Sequence, residues 1–163
     1  LEKAGAQLLT LHGRTREQGF SGQANWKAIA QVKKALKIPI IANGDINNAN
    51  DALNCLRITR ADGVMIGRGS MGAPWIVGQI DLFLKSNQIM PEPSTKDRLL
   101  ISLEQLNDLI KTKGDHGLLI ARKHMNWTCI GFEGSHLFRK SLMRAKTPNE
   151  AKKLIEDKIK LFN

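Results

Sequence analysis

The stretch Ile38-Pro39-Ile40-Ile41-Ala42-Asn43-Gly44-Asp45 (IPIIANGD) decides the fold. An apolar run, Ile38 to Ala42, stops abruptly at a polar tip, as a strand of a parallel sheet does when it is apolar on both faces. Two other runs, Leu8 to Leu11 and Gly63 to Ile66, have the same character and also end in polar or glycine-rich residues. Between the first two runs, Asn25 is placed to cap a helix with apolar positions Ile29, Val32 and Leu36, and Pro39 lies beyond its end. Between the second and third, Ala49, Ala52, Leu53 and Leu56 recur at helical spacing. Strands therefore return every 25 to 30 residues as βα units, the period of a parallel α/β fold, barrel or doubly wound. No GxGxxG follows the first strand, and special residues stand after every strand, which favours a barrel. Three units do not close one, and the opening LEKAGA reads as the end of a helix entering a strand. Upstream units, the N-terminal half of the barrel, are expected to be missing.

The chain has 163 residues, 42% of them hydrophobic, enough to bury a core. No apolar run approaches the length that spans a bilayer, so a soluble, cytoplasmic protein is expected. Cys55 and Cys129 are far apart and lack metal-ligand neighbours, so neither a disulfide framework nor a metal site is expected, and both read as core thiols. The net charge of +10 makes nucleic acid the leading partner class, because a basic surplus releases counterions from polyanions. That charge is uneven: residues 1 to 80 hold 10 Lys/Arg against 5 Asp/Glu, and residues 111 to 163 hold 12 against 5. Residues 81 to 110 are acidic, 3 against 5, so two basic surfaces flank an acidic joint.

The strand ends read His12-Gly13-Arg14-Thr15, Asn43-Gly44-Asp45 and Gly67-Arg68-Gly69. In parallel barrels functional groups stand at the carboxyl ends of the strands, and phosphate is commonly held by the last loops. Gly67 and Gly69 let the backbone approach an anion, Arg68 supplies a charged fork, and the next helix adds its positive N-terminus. Asn43, Gly44 and Asp45 also read as a simple turn, but with His12 and Arg14 they place three polar tips on one rim.

After Pro91 and Pro93 the barrel pattern stops. Ser94 and Asp97 resemble a capping box opening a helix with Leu99, Leu103, Leu106 and Ile110 on one face. Further helices are expected over about 117–130, about 135–145 and 148–162, the last opened by Thr147, Pro148 and Glu150. Arg122, Lys123, Arg139, Lys140 and Arg144 are spaced so that several share a face, either a solvated basic face or one that meets RNA phosphates, while Trp127 reads as a core residue sooner than a base-stacking one.

Four segments, LLTLHGRTREQGFSGQANW, IPIIANGDI, ADGVMIGRGSMGAPW and ARKHMNW, resemble in this order the tRNA-dihydrouridine synthases, particularly the bacterial B type. The resemblance runs over nearly the whole chain. It implies the C-terminal part of a TIM (β/α)8 barrel, residues 1–90, that binds FMN, followed by a small all-α helical bundle, residues 91–163, that binds tRNA. It implies cofactor contacts from Asn43, Gly44, Asp45, Gly67, Arg68 and His12, and NADPH-driven reduction of the uridine C5=C6 bond in the D-loop. The family's catalytic cysteine belongs to earlier strands, and neither Cys55 nor Cys129 matches it. No catalytic residue is expected in this chain, and the chain alone is expected to be inactive. The alternative is a non-catalytic RNA-binding remnant of such an enzyme.

Overall fold

The computed structural model describes residues 1–162. The chain divides into two compact units: Leu1–Ser70 with Pro74–Met90, and Met71–Ala73 with the residues from Pro91 onward. In the first, β1 (Leu9–His12), β2 (Ile40–Asn43) and β3 (Gly63–Met65) form a parallel sheet in the order β1-β2-β3. The register pairs His12 with Asn43 and Asn43 with Met65, so the three carboxyl ends lie side by side.

Helix α1 (Trp26–Ala35) starts where the Asn25 side chain accepts the Ala28 amide, and α2 (Ala49–Thr59) starts where Asn48 accepts the Asp51 amide. Both follow a strand and bury their apolar stripes with Leu9, Leu11, Ile40, Ala42 and Val64. Helix α3 (Ile76–Ser86) adds Ile80 to this core.

Burial departs from the sequence expectation in two places. Only β2 alternates between buried and half-buried positions, whereas Thr10 and His12 of β1 and Met65 of β3 are exposed. The helices cover one face of the sheet, and β1 and β3 are its edges among the described residues. On α2 the buried residues are Ala52, Cys55 and Thr59, while Leu53 is 47% exposed. The helix turns its small residues inward because α1 and α3 both lie close to it, and Thr59 satisfies its hydroxyl on the Cys55 carbonyl at 2.7 Å.

The second unit holds α4 (Thr95–Lys113), α5 (His116–Thr128), α6 (Ser135–Arg144) and α7 (Pro148–Ile159). Ser94 and Asp97 form the reciprocal capping box, and Thr147 caps α7 with Pro148 in its first turn. Leu99, Leu106, Leu118, Met125, Leu142 and Ile155 meet in one core. Gly117 brings α5 onto α4, since a Cβ there would strike the Leu109 carbonyl. Trp127 departs from the expectation of a core residue: it is 37% exposed and meets His124 edge to face. Met125 and Thr128 take the inward positions of that turn instead. No helix among the described residues is long and apolar enough to cross a membrane.

Leu106 is fully buried, so Leu106→Ala is expected to cost about 2–5 kcal/mol in denaturant unfolding. Leu53→Ala is expected to stay within about 0.5 kcal/mol of the parent.

Candidate functional site

The carboxyl ends of the strands carry the candidate site. After β2 the backbone turns sharply, with φ of 119° at Gly44 and 56° at Asp45. A side chain at Gly44 would be strained and would stand 2.8 Å from the Ala24 Cβ and 3.0 Å from His12 Nδ1. Aspartate tolerates the left-handed region better than most residues. The turn carries the Asp45 carboxylate to the loop that joins β1 to α1.

There Arg14 Nη2 donates to Asp45 at 2.8 Å and the Ala24 amide donates at 2.7 Å. Arg14 also donates to the Ser21 carbonyl at 3.1 Å and to the Gly22 carbonyl at 2.6 Å. The Arg14 side chain is 3% exposed and Asp45 28%, so this pair is much less screened than a surface ion pair. Trp26 Nε1 closes the loop by donating to the Gly44 carbonyl at 3.0 Å. A cavity of about 440 Å³ lies against this loop, lined by Arg14, Gly22, Gln23, Ala24, Trp26 and Asp45.

Burial raises the Asp45 pKa, but the Ala24 amide, the hydrogen bond and charge of Arg14 and the charge of Arg68 outweigh it. The net position is below the usual carboxylate range.

Arg68 occupies a short 3-10 turn, Arg68–Ser70, after β3. Its Nη2 lies 3.5 Å from Asp45, and its guanidinium sits 4.8 Å from the centre of the Phe20 ring. Half-exposed, Arg68 keeps donors open to an anion. Ser70 donates to the Gly67 carbonyl at 2.8 Å, and a Cβ on Gly69 would strike the Ile46 carbonyl. Nothing lies within 4 Å of a Cβ on Gly67, so this side of the turn is open. Helix α3 begins at Ile76 rather than directly after Gly69, and it packs against the turn.

Asn43 donates its side-chain amide to the Met65 carbonyl at 2.7 Å, tying β2 to β3 three residues before Arg68. His12 is exposed at the end of β1, with its ring beside Gly44. The structure thus brings Asn43, Gly44, Asp45, Arg68 and His12 to one end of the sheet, with Gly67 next to Arg68. Two features qualify the sequence reading. The Asp45 carboxylate is engaged by Arg14 and Ala24, and the cavity is lined by the β1–α1 loop rather than by Gly67 and Arg68. Sequence reasoning passed over Phe20, Gln23, Ala24 and Trp26. Phe20 gave the only usable signal, a large apolar side chain in a polar loop, and it is 75% exposed.

Of the basic residues on the helices, Lys123, Lys140 and Arg144 are exposed. Arg122 donates to the Ala145 carbonyl at 2.9 Å and ties α5 to the end of α6, whereas Arg139 makes only a longer bond of 3.3 Å, through Nη1, to the Asn126 carbonyl. Burial pushes the Cys55 thiol up to about 11 and also raises Cys129.

Two outcomes are expected. Arg14→Leu strands the Asp45 charge and costs on the order of 2–3 kcal/mol, less than a fully buried pair because Asp45 remains partly wet. For Asp45, the lowered folded pKa means the carboxylate contributes stability above its unfolded pKa and loses it as pH falls through the folded value. Unfolding curves from neutral to acid pH should therefore show a loss that Asp45→Asn removes.

A model of the family described as dihydrouridine synthase matches residues 1–163. A probable tRNA-dihydrouridine synthase 1 of Synechocystis is 46% identical over 159 residues, 98% of this chain and 45% of the relative. A probable tRNA-dihydrouridine synthase of Rickettsia bellii is 45% identical, over 95% of this chain and 48% of its own. The tRNA-dihydrouridine synthase B of Xanthomonas axonopodis is 42% identical, over 96% of this chain and 47% of its own. The chain thus spans about half the length of these curated relatives. On the full-length family match and these identities, this chain belongs to the dihydrouridine synthase family.

Proposed function

We propose that this chain is the part of an FMN-dependent, NADPH-driven tRNA-dihydrouridine synthase that holds the flavin phosphate and the tRNA. Residues 1–90 serve as the C-terminal part of a TIM barrel, and residues 91–163 as a helical tRNA-binding domain in the cytoplasm. The observation that carries this reading is the juxtaposition of polar strand ends on a parallel sheet, with a half-exposed Arg68 in an open glycine turn. The donor set fits a phosphate monoester: a guanidinium with free donors, turn amides around Gly67, and Asn43 and His12 beside them. Gly44 and Asp45 act mainly by shaping the rim, since Gly44 is buried and the Asp45 carboxylate is already held.

When bound, FMN supplies the reducing chemistry for the uridine C5=C6 bond. The protein's own share is to grip the phosphate, to fix the rim through Arg14 and Asp45, and to offer exposed cations to the tRNA. A D-loop uridine costs little to unstack, which suits a base that must enter a flavin site. Neither Cys55 nor Cys129 suits proton donation to a bound base, because both are buried in the cores of their units. The proton donor and the rest of the barrel are assigned to a segment other than these 163 residues. A second reading, an RNA-binding protein without catalysis, draws on the exposed cations Lys123, Lys140 and Arg144 of the helical unit.

Titration of the chain with FMN, read by flavin fluorescence, should give saturable binding that Arg68→Ala weakens about tenfold, the value of one charged hydrogen bond. Joined to the upstream half of a relative, with FMN, NADPH and unmodified tRNA, the protein should add two hydrogens to a D-loop uridine, read by mass spectrometry. No product from the joined, flavin-loaded protein would overturn the enzymatic reading.

A further inference from the structure

Arg98 on α4, Arg122 on α5 and Arg139 on α6 each carry a buried Nε that finds no acceptor among the described residues. Their other contacts separate them into two groups. Arg122 is committed to the Ala145 carbonyl at the end of α6. Arg139 makes a longer bond of 3.3 Å to the Asn126 carbonyl. Arg98 places Nη1 and Nη2 at 3.7 and 3.8 Å from where a Cβ on Gly131 would stand. Asn126 lies in the last turn of α5 and Gly131 in the connection to α6. The forks of Arg98 and Arg139 therefore approach one short segment from two helices.

Electrostatics agree with this placement. Burial raises the Cys129 pKa, and the charges of Arg139 and Arg98 both act against that rise, so both lie near the thiol. Among the described residues no ion pair joins either arginine to a carboxylate, and Glu133 in the same connection stays exposed. The carbonyl end of α5 offsets only part of two like charges, because a helix terminus carries about half a unit charge. The buried Nε atoms are out of a ligand's reach, but Nη1 and Nη2 of Arg98 and Nη2 of Arg139 are not buried and make no hydrogen bond among the described residues, and two such converging forks with surplus positive charge have the chemistry that binds a phosphate.

We infer that Arg98 and Arg139 form an anion site at the α5–α6 connection that takes one phosphodiester of an RNA strand. The inference rests on the tRNA-binding reading above and adds Arg98, which sequence spacing did not single out. RNA is favoured over a free anion because exposed Lys123 on α5 and Lys140 on α6, the helices that this connection joins, supply further charge for neighbouring phosphates. Arg122 is excluded from the site and acts as a structural tie.

The test uses the whole chain and an unmodified tRNA transcript, with affinity measured against salt concentration. Arg98→Gln is expected to weaken binding about tenfold and to reduce the slope of log affinity against log salt by about 0.7–0.9, one phosphate contact. Arg98→Lys is expected to restore most of the slope, and Lys85→Gln, whose residue pairs with Asp81, to leave it unchanged. In the unsubstituted protein, arginine Nε–H signals in nitrogen-15 NMR give a readout that does not depend on a variant folding. The Arg98 and Arg139 signals should move together on adding tRNA. An unchanged slope in a folded Arg98→Gln, or unmoved signals with bound tRNA, overturns the site and leaves tRNA binding intact. Signals that respond to inorganic phosphate but not to tRNA overturn the RNA assignment. No tRNA binding by the parent chain overturns the reading on which the inference rests.

Discussion

The Asp45 carboxylate sits between the Arg14 guanidinium and the Ala24 amide, and the shape of the strand-end rim follows from that placement. Backbone bonds close the base of the loop, from Asn25 N–H to the Gly13 carbonyl at 2.6 Å and from Gly13 N–H to the Asn43 carbonyl at 3.0 Å, and the carboxylate fixes the span between. With it, Arg14 gathers the Ser21 and Gly22 carbonyls, Trp26 reaches Gly44, and Phe20 comes to rest beside Arg68. A nearly dry arginine is costly to bury unpaired, so the carboxylate and the loop conformation hold each other in place. The same charge steadies Arg68 from 3.5 Å without consuming all its donors. One acidic side chain thus organises a rim whose ligand-facing groups are mostly basic or neutral.

The features legible in the sequence are those decided locally. Asn25, Ser94 and Thr147 cap helices because an N-cap needs only a short polar side chain and the next amides. The parallel strands and their polar tips followed from apolar runs stopped by Asn43 or Gly67. Less legible were matters decided by what packs against what. Leu53 has the right spacing for a core position, yet smaller neighbours take the inward face because helices crowd α2 from both sides. The bonds that Arg14 and Ala24 make to the Asp45 carboxylate were not legible, because both partners are distant in sequence. Trp127 sits on an outer face that periodicity alone does not distinguish from an inner one.

The basic residues of the helical unit show the same limit in electrostatic form. Counting charge marks a polyanion partner but does not say which cations are free. Arg122 has left the solvated set by capping a carbonyl of a neighbouring helix, whereas Lys123, its sequence neighbour, has not. Arg98 lies in the acidic stretch of the chain, where counting gives no reason to look. Its importance emerges only when α4 is placed beside the end of α5.

The two thiols have a practical consequence. Cys55 and Cys129 are buried, with Cys55 pushed up to about 11, so neither presents a thiolate near neutral pH. A cysteine engineered onto an outward-facing position can therefore be alkylated with a fluorophore or spin label in the otherwise native background. Distance measurements between such probes would then be free of signal from the resident sulfur atoms.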